Sequence, residues 1–338
     1  MKRFSRTVGC LAARLRGAPW IAFLIAAFLV ATGATYAQGI TDTTPTLYRL
    51  NNGSGYGVRC SDGCVCPLIP DVSAKGTFIL TPTGFDGLFS TFAVTEVNWF
   101  LSTGGLDTMV TGSGSYKVGG EFAVQQQLSL DLKVGDNPVE LFDSGLIAGP
   151  APFPDIDITI SMHVQTCFDT VFTISASPVP PDQIRPYRLL FGSTFQHTCV
   201  GVCDCAPGPL QPIIGRFALV PLESPPPWTE FAVIEVRWRV FTSSLITSSD
   251  FIPVRGLGRY KFGGDSTKQH ELSLMLKVDG EDPARYDSGI VPGGDTFPRI
   301  DIRISILGAT CHDTIIDLHG APRRTLFLRS TRTDGDAL

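Results

Sequence analysis

The sequence predicts an all-β protein built from two tandem homologous antiparallel β-sandwich domains of about eight strands each. Three observations carry that expectation: an internal duplication, apolar residues recurring at every second position, and turn residues that interrupt the chain about every ten positions. Of 338 residues, 43% are hydrophobic and 17% charged, with 35 Gly and 25 Pro. A disordered chain would carry more charge, and a helical bundle fewer helix breakers.

In chain order, residues 1–37 read as a cleaved export signal. Five basic residues (Lys2, Arg3, Arg6, Arg14, Arg16) and no acid precede or flank the apolar run that starts at Trp20, and Thr35 and Ala37 suit the −3 and −1 positions of a signal-peptidase site. The run holds about 15 apolar or small residues, short of the ~20 that span a bilayer. Cleavage near Ala37 would place the mature chain outside the cytoplasm, secreted or periplasmic, with no membrane insertion expected of it. Losing that segment deepens the formal net charge from −5 to −10, which argues against nucleic acid as a partner.

The duplication begins with Tyr48-Arg49-Leu50 matching Tyr187-Arg188-Leu189, an offset of 139. It continues through Phe92-Ala93-Val94-x-Glu96-Val97-x-Trp99 against Phe231-Ala232-Val233-x-Glu235-Val236-x-Trp238. From Gly114-x-Tyr116-Lys117 against Gly258-x-Tyr260-Lys261 the offset is 144, so the second copy gains five residues between these landmarks. Asp143-Ser144-Gly145 then meets Asp287-Ser288-Gly289, and Phe153-Pro154-x-Ile156-Asp157 meets Phe297-Pro298-x-Ile300-Asp301. A period near 140 is too long for a solenoid unit and suits a whole domain. The expected organisation is repeat 1 over 47–178, a Pro-containing linker over 179–185, repeat 2 over 186–322, and a polar tail over 323–338.

Within a copy, Leu128, Leu130, Leu132 and Val134 alternate with Gln127, Ser129, Asp131 and Lys133. Ile156, Ile158 and Ile160 alternate with Asp155, Asp157 and Thr159, which is the pattern of a sheet with one wet face. Ala93, Val97 and Trp99 are read as one face opposed to Glu96 and Asn98, with Trp99 and Trp238 as core residues rather than ligand platforms. A jelly-roll-like topology is among those the pattern admits.

Of nine cysteines, Cys10 leaves with the signal. The remaining eight form two C-x3-C-x-C groups, each with a distant fourth member: Cys60, Cys64, Cys66 and Cys167, then Cys199, Cys203, Cys205 and Cys311. An even count in an exported chain favours disulfides over zinc. Cys64 and Cys66 share a face of an extended strand and are poorly placed to bond each other. One of them is therefore expected to reach Cys167 and the other Cys60, with the second copy repeating the arrangement.

No familiar catalytic pattern is built into both copies, which leaves room only for a site confined to one domain or made from the recurring carboxylates. The five histidines (His163, His197, His270, His312, His319) occupy no equivalent positions in the two copies, and there is no G-x-S-x-G elbow or phosphate loop. Gly112-x-Gly114 and Gly256-x-Gly258 lie in strand-like surroundings, where a dinucleotide fingerprint is not expected. Carboxylates recur in both copies. Glu96 and Glu235 are one pair, and Asp143, Asp157 and Asp169 have counterparts in Asp287, Asp301 and Asp313. The six aspartates are candidate calcium ligands, calcium being the one cofactor these residues suggest, although their wide spacing favours turn and surface roles. The expected function is non-enzymatic binding or extracytoplasmic structure, with carbohydrate or a cell-surface polymer as ligand. A secreted hydrolase using the recurring carboxylates is the alternative.

Overall fold

The computed structural model describes residues 44–323, apart from 61–63, 68, 104–105, 150–151, 164–166, 200–202, 204–205, 243–249, 266, 294–296 and 307–310. The proposed signal segment, Cys205 and the tail beyond Arg323 lie outside the described residues.

Repeat 1 holds β1 (Thr46–Leu50), β2 (Gly55–Cys60), β3 (Val72–Phe85), β4 (Phe89–Thr103), β5 (Leu106–Gly119), β6 (Gln125–Val134), β7 (Val139–Asp143), β8 (Ile147–Ala148), β9 (Ile156–Ser161) and β10 (Phe168–Pro178). A single 3-10 turn, Pro181–Gln183, leads into repeat 2. There follow β11 (Arg185–Leu189), β12 (Thr194–Cys199), β13 (Gln211–Leu222), β14 (Trp228–Phe241), β15 (Phe251–Gly263), β16 (Gln269–Val278), β17 (Ala284–Asp287), β18 (Val291–Pro292), β19 (Ile300–Ile306) and β20 (His312–Pro322).

The protein is all-β, with two antiparallel sheets of ten segments each. In repeat 1, β1 and β2 both lie between β10 and β3, and β7 and β8 both lie against β6. Each of these pairs is one strand broken by a short turn, so eight strand tracks remain. The tracks neighbour each other in sequence order, and β9 and β10 close the ring onto β7 and β1–β2. Repeat 2 has the same connections. Each domain is therefore a sandwich-like meander closed at its edges. The jelly-roll topology does not hold, because a jelly roll sets sequence-distant strands side by side and here neighbours are consecutive until the closing pair.

Alternation fills the inside. Tyr48, Phe78, Trp99, Leu130, Phe142, Ile158 and Phe172 pack together in the first core, and Tyr187, Phe217, Trp238, Leu274, Tyr286, Ile302 and Ile316 in the second. Burying a large apolar side chain fully contributes about 1.5–3 kcal/mol, so each repeat has the makings of its own core. Phe153 and Phe297 pack on Phe92 and Phe231 at ring distances of 5.4 and 5.5 Å.

One face assignment needs correction. Ala93 does not share a face with Val97 and Trp99; Val94 does. The register of β4 on β5 shifts between Val94 and Val97, and Glu96 takes φ 52° there, as Glu235 takes φ 51° in β14. A bulge of this kind adds a residue and reverses the phase of alternation beyond it. The glycines at 114 and 258 answer a packing need. A Cβ on Gly114 would overlap the Ser129 carbonyl on β6, and one on Gly258 the Ser273 carbonyl on β16.

Candidate functional site

The disulfides lie at one end of each repeat. Cys64 bonds Cys167 and Cys60 bonds Cys66; in repeat 2 Cys203 bonds Cys311, and Cys199 is also oxidised. These bonds fit an oxidising, extracellular environment.

The six recurring aspartates do not gather in one site, and most are engaged locally; Glu96 and Glu235 do lie near enough for the charge of Glu235 to raise the Glu96 carboxyl. Asp143 Oδ1 accepts from the Gly145 amide at 2.5 Å, and Asp287 Oδ1 accepts from the Gly289 amide at 2.7 Å, the Asx turn that an Asp-Ser-Gly sequence favours. Burial would raise the Asp143 carboxyl, but the Gly145 amide, Gln127 and Ser129 outweigh it and hold the group below its usual range. Asp313 Oδ1 accepts from the amides of Ile306 and Thr314 at 2.9 and 2.6 Å. Asp301 pairs with the His319 ring, Asp157 is exposed on β9, and Asp169 Oδ1 is buried on β10 without a hydrogen bond. Among the described residues, no three His, Cys, Asp or Glu side chains gather in a way that could hold a metal ion.

What the sequence reading missed is the joint between the repeats. Arg259 on β15 is 1% exposed and pairs with Asp107 on β5 of repeat 1; it also meets Glu271 at 3.2 Å and Glu230 at 3.9 Å. Lys261 reaches Asp107 at 2.5 Å, and Lys75 reaches Glu230 at 3.3 Å. The Arg259 guanidinium stacks over Phe100 at 5.1 Å. Burial alone would raise the Asp107 carboxyl, but hydrogen bonds and charge from Arg259 and Lys261 hold it well below the usual carboxylate range. Asn98, fully buried, donates from Nδ2 to the carbonyls of Val233 and Gly258 at 3.3 and 3.0 Å. Val179 of the linker packs with Ala218, Val220, Leu222, Ala232 and Ile234 on the outer face of repeat 2, joined by Leu47 of repeat 1.

The joint is head-to-tail. By the repeat offsets, the docking residues Asn98, Phe100 and Asp107 of repeat 1 correspond to Arg237, Arg239 and Phe251 of repeat 2, and these stay exposed. Here the cross-strand register sets Arg216, Arg237, Arg255 and Lys277 directly opposite one another on four consecutive strands, β13 to β16. The matching row in repeat 1 is Thr77, Asn98, Thr111 and Lys133. Arg239 lies over the Phe251 ring at 4.8 Å. Arg216, Arg237, Arg239, Phe251 and Arg255 border a shallow groove of about 620 Å³ that Ile214 also lines. Aligning the two repeats and asking where their outward-facing residues differ would have exposed both the joint and the arginine row.

A second cleft, of about 810 Å³, opens beside the joint and is lined by Asp107, Lys133, Asp136, Asn137, Met275 and Arg285. No family model, curated protein or solved structure matches the chain.

Proposed function

We propose that the protein is exported by its N-terminal segment and serves a non-enzymatic binding or structural role outside the cytoplasm, with a carbohydrate or other cell-surface polymer as its ligand. The observation that carries this reading is the fate of the recurring aspartates. A glycoside hydrolase needs two carboxyls facing one substrate. Here Asp143, Asp287 and Asp313 are engaged by backbone amides, and of the two acids that line the larger cleft, Asp107 and Asp136, Asp107 is consumed by Arg259 and Lys261. Side chains fill both interiors, which leaves the outer faces for recognition. Two closed sheets fastened at a buried joint would present those faces in a fixed relation, an arrangement suited to an extended ligand.

The test is retention of the mature chain on a panel of insoluble and immobilised surface polymers, with the eluted polymer analysed for cleavage. Retention without new reducing ends supports the reading. Depolymerisation that survives further purification of the chain would replace it with the hydrolase alternative.

A further inference from the structure

We propose that the row Arg216, Arg237, Arg255 and Lys277, with Arg239 beside it, is a binding face for an anionic polysaccharide, one bearing carboxylate or sulfate groups along its chain. The inference rests on the binding reading above and names the ligand class and the face. Four cations directly opposite one another on adjacent strands repel, and such a row lowers the stability of the sheet that carries it. All five side chains are exposed, and none is ion-paired among the described residues. Of the row, Arg237 feels the charge of a nearby acid, Glu96. In a chain whose net charge is negative, this is a local reversal of sign, and an anion laid across the strands would relieve the repulsion.

Strands in a sheet are about 4.8 Å apart, so the row presents regularly spaced charges over roughly 14 Å, suited to a linear polyanion lying perpendicular to the strands. Arginine forks also take carboxylate and sulfate oxygens two at a time.

Three other occupants fit less well. Repeating the internal joint with a second copy would bring Arg237, Arg239 and Phe251 against Ser115 and Lys117, the counterparts of Arg259 and Lys261, and no acid would meet the arginines. Single-stranded nucleic acid needs open aromatic platforms, and of the two rings here Trp238 is buried and the face of Phe251 is already covered by Arg239. A lipid surface needs apolar side chains to insert, and the groove offers only Ile214 and Phe251 among its exposed large hydrophobics.

The experiment compares the mature chain with the triple variant Arg216→Thr, Arg237→Asn, Arg255→Thr, which installs the residues of repeat 1. Probes are polygalacturonate, heparin, neutral dextran, an oligo-dT strand and phosphatidylglycerol vesicles, each at low and high salt. We expect the mature chain to bind polygalacturonate or heparin at low salt and to release it at high salt. The variant should bind at least tenfold more weakly and melt no lower than the mature chain. Equal binding by the variant overturns the inference. So does arginine-dependent binding confined to the oligonucleotide or vesicles. Binding to dextran alone overturns the inference and leaves the binding reading standing, and failure to bind any polymer in this set or in the surface-polymer panel overturns both.

Discussion

Arg259 of the second repeat is buried against Asp107 of the first, so a guanidinium that has left water is neutralised by a carboxylate from another domain. Removing Asp107 leaves the buried guanidinium with only Glu271 and the more distant Glu230 of its own repeat. Asp107→Asn should cost about 3–5 kcal/mol in denaturant unfolding, and the double variant Asp107→Asn, Arg259→Ser, which restores the serine of repeat 1, should recover much of that loss. The same pair sets an acid limit. Asp107 titrates below its unfolded value, so its contribution is complete above about pH 4 and disappears as the pH falls further. Melting curves between pH 2 and 6 should steepen in their pH dependence below pH 4, and Asp107→Asn should flatten that slope.

Glu96 behaves in the opposite sense. Burial and the neighbouring Glu235 push its carboxyl above the ordinary value, and Arg237 opposes them only in part. A raised acid means that the folded chain holds its proton longer than the unfolded chain, so this group removes stability as the pH rises through its titration. Glu96→Gln should therefore melt slightly higher than the parent at pH 7 and no higher at pH 3. A lower midpoint at pH 7 would show that Glu96 is stabilising as an anion.

The fold was legible because duplication and alternation are properties of the chain alone, and the eight strand tracks follow from them. Closure and strand order were not, since they depend on which edges meet. The phase of Ala93 was misread because a bulge at Glu96 leaves no mark in a two-residue count. The joint did leave a mark. Thr81 and Thr95 of repeat 1 become Val220 and Ile234 in repeat 2, which turns an alternating strand into a nearly continuous apolar run, the pattern of a strand buried on both faces. The arginine row was hidden for a different reason, because Arg216, Arg237 and Arg255 are about twenty residues apart and only pairing register brings them together.

The two disulfides of repeat 1 should differ in worth. Cys64–Cys167 spans 103 residues and Cys60–Cys66 spans 6. In the chain-entropy model the long bridge contributes about 4.7 kcal/mol and the short one about 2 kcal/mol. Chemical denaturation of Cys64→Ser, Cys167→Ser beside Cys60→Ser, Cys66→Ser should place the first pair lower by about 2–3 kcal/mol. Equal losses would mean that the unfolded chain is already constrained near these ends.

Separating the repeats should have unequal consequences. A first half ending at Asp182 keeps its own core and loses the cover over Leu47, Val179, Asn98 and Phe100. A second half beginning at Gln183 keeps its core but bares Ala218, Val220, Leu222, Ala232 and Ile234, and leaves Arg259 without Asp107. Exposed apolar strips on a sheet invite self-association. Expressed in an oxidising compartment, the first half should unfold cooperatively as a monomer, whereas the second should melt lower and associate with rising concentration. Replacing Val220 and Ile234 with the threonines of repeat 1 should suppress that association. Sedimentation of both halves decides the matter: two equally well-behaved monomers would mean that the joint adds little, and two unfolded halves that neither core stands without the other.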